Sequence, residues 1–568
     1  MQIKNLLFIF MIVLVASSCK KNIDQYPTSN LYDNVYYRNV SEFDAALVGC
    51  YNGMQKPMFE EWSLTELRSD NAIMGNPTSG SIPNRELSDL DLLAPNTYHE
   101  RVYNYWLSSY YNIYNTNKIL SNLAVKYDSL NGNLKYDSVN LPVTSADRKR
   151  IAAQASFIRA YHYFNLVRLY GGVFLIDRPV TPAESKMINR SSVADIYKLI
   201  IADLNNAKDY GDQASFTAIN PSNLGRANSW SAKALLAKVY LTLNQKAQAT
   251  ALLQDIISNS GYRLQTSYTD VFSITNEMNS EILFAVRYKS GKVGLGSPFC
   301  NIFAPSSSGN YIVNGDGDGY GYPSYELDTI QKNYIVSPPN TSYYFDSLRT
   351  NSYDPNDPRR TFNIKHYDTD TLRPVFYWTP SPPPSTNPNG KRNNPKAYNN
   401  KFILFNKTYL TSPLVYQDDG ENDWPVIRYA DVLLMLAEAQ GYTPSSVQLI
   451  NQIRSRVALS PVTPINIAKF NQDLSNERRF EFAFENQRWF DLIRFNVTLS
   501  PNFAENTLKT HFRYMHNQYG GNHYNGYTPA IILANLLAQV NEAHLLLPIP
   551  QREIDNNTNI VIQQNPGY

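Results

Sequence analysis

The chain contains few cysteines, almost no net charge and few histidines, and each scarcity excludes a class of protein. Three cysteines among 568 residues exclude a small disulfide-stabilised scaffold, and Cys50 and Cys300 are predicted to be buried thiols rather than a disulfide. Lysine and arginine barely outnumber aspartate and glutamate (51 against 49), so the charge indicates neither nucleic acid nor an acidic lipid surface as a partner. The seven histidines show no HExxH or i, i+4 spacing, so no metal site is predicted.

Sequence motifs of common enzymes are also missing. Gly294–Gly296 lacks the strand and helix context that a nucleotide-binding loop requires, and no Gly-x-Ser-x-Gly turn of a serine hydrolase occurs. Asn314, Asp316 and Asp318 resemble the start of a calcium-binding EF-hand loop, but Tyr325 stands where the closing glutamate is needed. A turn built on glycines is therefore favoured over a calcium site, and no cofactor is predicted.

The one long apolar run lies at the N-terminus. Leu6–Val15 follows the positive Lys4 and is too short to cross a bilayer, which takes about 20 residues, so residues 1–18 are predicted to be an export signal peptide. The small residues before Cys19 resemble the cleavage motif of bacterial lipoproteins, in which this thiol is acylated. Cys19 is therefore the predicted lipid-attachment residue, and two or more acyl chains such as palmitate would anchor the chain to a membrane. An ordinary cleavage site beside an incidental cysteine is the alternative.

Amphipathic spacing predicts a mainly α-helical protein built from helical hairpins. The predicted helical segments are Ser41–Met54 with Ser41 as its cap, Tyr103–Leu123, Ser145–Tyr170, Ser192–Tyr210, and the hairpins Ser231–Ser258 and Tyr429–Val457. In the first hairpin, Ala237, Tyr240 and Ala249 have the spacing of a tetratricopeptide repeat (TPR). Such units bury their faces only by stacking on one another.

The middle of the chain has a different pattern. Glu281–Tyr288 (EILFAVRY) reads as a strand, and glycine- and proline-rich turns follow it. This division predicts an N-terminal helical part (19–261), a loop-rich insert with a few short strands (262–424), and C-terminal helices with a tail (425–568). Irregular chain of this length in an exported protein is where a binding surface is expected.

Several motifs together resemble the SusD/RagB family, and they run along nearly the whole chain. They are Phe43–Met54, Ala153–Ile176, Ala232–Leu241, the GYGYP turn Gly319–Pro323, DPRR at Asp357–Arg360, Pro425–Ala439, Asn476–Phe495 and Leu545–Tyr568. Members of this family are outer-membrane lipoproteins of Bacteroidetes that bind glycans or other nutrients. They deliver these ligands, without cleaving them, to a SusC-like TonB-dependent transporter. The resemblance implies a SusD-like fold for residues 19–568, a lipid-anchored chain facing the cell exterior, and a TPR scaffold turned toward the transporter.

The composition is rich in aromatic rings, which suit stacking on sugar rings and contact at protein interfaces alike. The chain has 42 Tyr, 25 Phe and 6 Trp. A sugar is held by aromatic faces, with exposed Asp, Asn or Arg side chains bonding its hydroxyls at the rim. Two loop stretches combine both chemistries, one from Arg68 to Tyr98 and one that includes the GYGYP turn. The candidate ligand-binding residues are Asp70, Asn71, Arg85, Tyr98, Tyr320, Tyr322, Tyr377 and Trp378. Core packing remains the alternative role for each ring.

Two other functions stay open at the level of sequence. An exported glycan hydrolase would need two opposed carboxyls, and Glu477, Glu481 and Glu485 share one face of a predicted helix. Arginines at positions 478, 479, 488 and 494 are close enough to pair with these acids, so a structural, salt-bridged helix is favoured and no enzyme is predicted. A TPR scaffold that binds only proteins is the second alternative.

Overall fold

The computed structural model describes residues 36–74, 84–304, 317–318, 320, 322–324, 327, 354, 356–367, 374–375, 396–399, 416–519, 529–557 and 559–568. Residues of the sequence analysis that lie outside these ranges are the signal peptide, Cys19, Asn314, Asp316, Gly319, Tyr325, Tyr377 and Trp378.

The described chain is mainly helical, as the sequence predicts. In its first half the α-helices are α1 (Val40–Asn52), α2 (Gln55–Thr65), α3 (Asn84–Asp91), α4 (Glu100–Asn122), α5 (Ser145–Tyr170), α6 (Pro182–Ser185), α7 (Val193–Tyr210), α8 (Ser229–Thr242) and α9 (Lys246–Asn259). In its second half they are α10 (Phe299–Phe303), α11 (Pro358–Asn363), α12 (Tyr429–Gln440), α13 (Pro444–Arg456), α14 (Ile467–Glu481), α15 (Arg488–Thr498), α16 (Phe503–Tyr519), α17 (Pro529–Gln539), α18 (Glu542–Leu545) and α19 (Gln551–Asp555).

Polar caps and a glycine set the ends of the predicted helices. The longest helix, α5, follows Thr144, whose side chain accepts a hydrogen bond from the first turn, and it ends at Gly171 with φ of 72°, a conformation that favours glycine. The predicted cap of α1 is wrong. Asn39, not Ser41, caps this helix, and its side chain accepts from the backbone N–H of Glu42 at 3.1 Å. Asparagine caps a helix as well as serine does, so the first turn starts earlier than the serine indicates.

The helical hairpins stack on one another in the order in which they occur along the chain. Helix α4 packs on α5, α5 on α7, α7 on α8, α8 on α9, α9 on α12, and α12 on α13. Ala237 and Ala249 are fully buried where α8 and α9 cross, which lets the two backbones approach closely. The TPR-type hairpins predicted from the sequence are confirmed, and they enclose the main hydrophobic core.

Short strands link the parts of the chain. The strands are β1 (Ala72–Ile73), β2 (Val125–Asp128), β3 (Asn133–Tyr136), β4 (Ile282–Val286), β5 (Tyr322–Pro323), β6 (Ile364–Tyr367), β7 (Pro374–Val375), β8 (Lys396–Asn399) and β9 (Trp424–Arg428). The predicted strand near Glu281 is β4, which pairs antiparallel with β9, and β1 pairs antiparallel with β5. The β1–β5 pair positions the site described below.

Both remaining cysteines are buried thiols, as predicted. Burial raises the pKa of the Cys50 thiol to about 12, and the Cys300 thiol donates to Asn422 Oδ1 at 3.2 Å. Within the described ranges, no helix has the length and apolar character needed to cross a membrane.

Candidate functional site

Strands β1 and β5 bring the two predicted binding stretches together. Ala72 pairs with Pro323, and Ile73 pairs with Tyr322, although about 250 residues separate the two segments. Ser324 extends this junction, since its backbone N–H donates to the carbonyl of Asn71 at 2.8 Å. Its hydroxyl also donates to the carbonyl of residue 70 at 2.7 Å. The structure therefore makes these two stretches neighbours, which the sequence spacing alone does not show.

Asp70 and Asn71 lie inside the protein, not at the rim of a loop, which corrects their expected exposure. Both are buried. The carboxylate of Asp70 accepts two hydrogen bonds from Arg488, at 2.7 and 2.9 Å, and Arg479 donates to Asn71 Oδ1 at 2.8 Å. Burial opposes ionisation of Asp70, but the charges of Arg479 and Arg488 outweigh it and hold its pKa below the usual range. These two residues thus position the strand that leads to the site, and a direct bond to a ligand is not open to the Asp70 carboxylate.

Tyr320, one of the predicted ligand residues, is held against a second aromatic ring. Its half-buried ring stacks on the buried Trp62 ring, with centroids 6.4 Å apart and planes 13° apart. Phe303 packs edge-on against Trp62 at 5.4 Å, and the backbone N–H of Tyr320 donates to the carbonyl of Ile302 at 3.0 Å. Burial and Asp318 raise the pKa of Tyr320, so the phenol stays protonated at neutral pH. The result is a fixed aromatic platform that carries a neutral hydroxyl.

Arg101 and Glu60 stand beside this platform, and the sequence analysis missed both. Arg101 Nη1 lies 2.8 Å from Glu60 Oε2, and the guanidinium lies 5.9 Å from the centroid of the Trp62 ring. Burial raises the pKa of Glu60, and Arg101 partly offsets this effect. No local pattern reveals the pair, because Glu60 is on α2 and Arg101 is on α4. The one sequence signal is proximity, since Glu60 shortly precedes the predicted stretch from Arg68 to Tyr98 and Arg101 shortly follows it.

The other predicted residues have separate positions. Arg85 is exposed on α3. Tyr98 is 57% exposed, and its hydroxyl donates to Asp555 Oδ2 at 2.9 Å, which ties the start of α4 to α19. Tyr322 lies in β5. We call the set of Trp62, Arg101, Glu60 and Tyr320 the Tyr320 platform, and of the predicted residues that the structure describes, only Tyr320 belongs to it.

The acidic segment that favoured a hydrolase is a buried network of ion pairs. Glu477, Glu481 and Glu485 are all buried, and they pair with arginines of other elements. These pairs are Glu477 with Arg359 and Arg454, Glu481 with Arg359, Arg428 and Arg456, and Glu485 with Arg428. Burial opposes ionisation of Glu481, but Arg456, Arg428 and Arg359 outweigh it and hold the pKa of the carboxyl below its usual range. A carboxyl that stays ionised cannot serve as the general acid of a glycosidase.

The predicted pairing partners within that segment are wrong, although its structural role is supported. Helix α14 ends at Glu481 and α15 begins at Arg488, because the chain between them turns through positive φ at Phe484 (65°) and Asn486 (60°). The break directs the arginines away from the three glutamates. Their partners are Asp431 and Asp491 for Arg478, Asp70 for Arg479 and Arg488, and Glu438 and Asp491 for Arg494.

In the described part of the chain, no three His, Cys, Asp or Glu side chains are grouped so that they could hold a metal ion.

Comparison with known proteins identifies the family. The model of the SusD family matches residues 280–568, which is more than half of the chain. A second family model, described as "Starch-binding associating with outer membrane", matches residues 35–241. The chain therefore belongs to the SusD family, as its motifs indicated.

Relatives and solved structures agree with this assignment over nearly the full length. SusD-like protein P2 of Formosa agariphila is 26% identical over 98% of this chain and 99% of its own. A laminarin-binding SusD-like protein of known structure superposes with a TM-score of 0.67 at 24% identity, covering 94% of this chain and 100% of its own. Surface glycan-binding protein A from Bacteroides thetaiotaomicron, solved in complex with laminarihexaose, gives a TM-score of 0.65 at 17% identity over 92% and 99% of the two chains. At these identities the structures establish the SusD-like fold.

Proposed function

We propose that the mature chain binds an oligosaccharide at the Tyr320 platform, without cleaving it, and delivers it to a SusC-like TonB-dependent transporter. The observation that carries this proposal is the half-open Tyr320 ring held on Trp62 beside Arg101. An aromatic face suits the apolar face of a sugar ring, while guanidinium, carboxylate and phenol groups suit its hydroxyls. Family members whose names refer to laminarin and laminarihexaose share this fold, which supports a glycan as the ligand.

The absence of turnover is part of the proposal. The buried Glu477, Glu481 and Glu485 are paired with arginines, and the Glu60 carboxyl on the platform is paired with Arg101. Relatives are named as SusD-like or glycan-binding proteins, which also supports a binding role. A glycan array combined with a product assay separates the alternatives. Binding without products supports the proposal, and products indicate a hydrolase. If neither binding nor products are detected, a scaffold that binds only proteins is favoured.

The location is proposed from the leader and the family. Cys19 would carry the lipid anchor, and the family description of association with the outer membrane supports that membrane as its place. Tyr377 and Trp378, whose loop belongs to the predicted binding stretches, are proposed as further ligand contacts. So is Tyr322, which lies in β5 two positions after Tyr320.

Replacing Tyr320 by Ala is expected to weaken binding of the glycan found on the array by about 1–3 kcal/mol, the scale measured for stacking of bases on aromatic rings. Tyr320→Phe keeps the ring and removes only the hydroxyl, so it should lose less affinity. Isothermal titration calorimetry measures both variants. Equal affinity of the wild type and Tyr320→Ala would exclude the platform as the binding site.

Replacing Cys19 by Ala is expected to abolish incorporation of labelled palmitate and to release the protein from the membrane fraction. The reason is that two or more acyl chains provide stable anchoring, whereas a chain without them has no comparable membrane affinity. Fractionation with and without a co-expressed transporter is the measurement. A variant that remains in the membrane without the transporter would contradict lipid anchoring at this residue.

A further inference from the structure

Helices α2 and α4 leave a groove between them that shares only Glu60 with the Tyr320 platform. The groove has a volume of about 490 Å³ and is lined by Lys56, Phe59, Glu60, Asn104, Leu107, Ser108 and Tyr111. Three apolar side chains of this lining face solvent: Phe59 is 38% exposed, Leu107 is 49% exposed and Tyr111 is 67% exposed. Exposed rings and a leucine gathered in one concavity indicate a binding site rather than ordinary surface. We call this feature the α2–α4 groove.

The walls of the α2–α4 groove are held rigidly. Leu107 and Tyr111 are one helical turn apart on α4, so their side chains are neighbours on one face. The elbow between α1 and α2 packs directly on α4, where Asn112 Nδ2 donates to the carbonyl of Cys50 at 2.9 Å. A Cβ at Gly53 would collide with the Asn112 side chain, so glycine at this position permits the close approach. A preformed wall lowers the entropy lost when a ligand binds.

Polar groups stand around the exposed rings. The Ser108 hydroxyl donates to the backbone carbonyl of Asn104 at 2.6 Å, and Asn104 and Glu60 both line the groove. An adjoining cavity of about 550 Å³ shares Lys56, Ser108 and Tyr111 with the groove and adds Asn115 to its lining. Among the described residues, the ammonium group of Lys56 has no hydrogen-bonding or ion-pairing partner. Rings beside amide, hydroxyl and ammonium groups match the alternating apolar faces and hydroxyls of a sugar chain. The concave shape also suits a slender ligand better than the broad surface that a stable protein interface buries.

The α2–α4 groove adjoins the Tyr320 platform. Glu60 lines the groove and bonds Arg101 at 2.8 Å, and Arg101 lies over Trp62, on which Tyr320 stacks. Along α4, the ten positions from Arg101 to Tyr111 span about 15 Å at 1.5 Å per residue. One oligosaccharide could therefore touch the platform with one part and the groove with another.

We infer that the α2–α4 groove is a second oligosaccharide-binding site, which holds further sugar units of a chain bound at the Tyr320 platform. This inference rests on the proposed function. Phe59 and Tyr111 supply the stacking faces, and Lys56 and Asn115 supply donors for hydroxyl or acidic groups of the sugar.

The test uses the mature full-length chain in affinity gels that contain laminarin, starch, xylan, pectin or alginate. The double variant Phe59→Ala/Tyr111→Ala is compared with the wild type, with Tyr320→Ala and with Tyr114→Ala. Tyr114 is a matched control, because it is an exposed tyrosine of the same helix outside the groove lining. The double variant should bind the retained polysaccharide at least about fivefold more weakly, the lower end of the effect of losing a stacked ring. The control should bind like the wild type, and all melting temperatures except that of Tyr320→Ala should be unchanged.

The remaining outcomes separate the two proposals. If Tyr320→Ala weakens binding but the double variant matches the wild type, the groove inference is overturned and the proposed function stands. If the double variant keeps its glycan affinity but no longer co-purifies with the transporter, the groove is a protein interface and the inference is again overturned. If none of the five polysaccharides retards the wild type, both proposals fail together.

Discussion

Replacement of Glu481 by Gln is expected to lower the free energy of unfolding by about 3–5 kcal/mol, the range for removing one partner of a buried ion pair. The Glu481 carboxylate accepts from Arg456 at 2.6 and 2.5 Å, from Arg428 at 3.0 Å and from Arg359 at 3.1 Å. All three guanidiniums are buried. A neutral amide would leave their charges poorly compensated and would turn an N–H group toward one of them.

Urea denaturation followed by circular dichroism measures this loss. The control is Glu184→Gln, because Glu184 pairs with Arg178 at 2.9 Å while both side chains are largely exposed, and such pairs contribute about 0–1 kcal/mol. Glutamine also preserves the capping of α6. If the two variants lost similar amounts of stability, Glu481 would not be the structural centre of the network.

The family motif Asn476–Phe495 acquires a physical explanation from these contacts. Its arginines connect elements that are distant in sequence. Arg488 pairs with Asp70. Arg494 pairs with Glu438 and Arg478 pairs with Asp431, and both of these acids lie on α12. The motif thus joins the TPR-type stack to the turn that precedes β1. Burial of so many charges is tolerated because each guanidinium meets a carboxylate in hydrogen-bonding geometry.

The sequence predicts the helices well, but it does not predict the strand pairing and salt bridges between segments that are distant in sequence. Helix periodicity and caps are local, so α5 was bounded correctly from Ser145 to Tyr170. The pairing of β1 with β5 and the salt bridge from Arg488 to Asp70 join residues some 250 and 418 positions apart. No local pattern encodes such contacts. The i, i+4 spacing therefore assigns the arginines to nearby acids. The helix ends at Glu481 and the next helix begins at Arg488, so this spacing does not apply across the break.

The candidate site shows the same division. The sequence singles out Tyr320 as a candidate because a ring among glycines has no helical stripe to join, whereas Arg101 and Glu60 read as ordinary polar positions of two helices. Asp70 was ranked with the rim residues because it follows Arg68 and Ser69 in a polar stretch. Polarity indicates exposure only when no buried partner exists, and here Arg488 and Arg479 supply two.

Replacement of Asp70 by Asn is therefore expected to destabilise the protein by about 3–5 kcal/mol while leaving the glycan affinity of the folded protein nearly unchanged. The two hydrogen bonds from Arg488 to the Asp70 carboxylate, at 2.7 and 2.9 Å, lie beneath β1 and not at the surface. The folded-state pKa of Asp70 is below its usual value, so the stabilisation is fully present above the unfolded pKa of about 3.9. It is lost as the pH falls through the folded pKa. The stability difference between wild type and variant should thus be constant near neutrality and shrink below about pH 4.

Urea titrations from pH 3 to 7, combined with calorimetric titration of the glycan, distinguish an internal Asp70 from a ligand-binding one. Asp44→Asn is the matched control, because its ion pair with Arg150 at 3.0 Å is about one-third exposed and should contribute only about 0–1 kcal/mol. An Asp70 that bonded sugar hydroxyls directly would behave in the opposite way: the variant would keep its stability and lose affinity. That outcome would return Asp70 to the rim of the site, and it would also mean that Arg488 does not need this carboxylate. A loss of stability without a loss of affinity instead makes Asp70 the anchor of β1, with sugar contact left to the rings and donors above it.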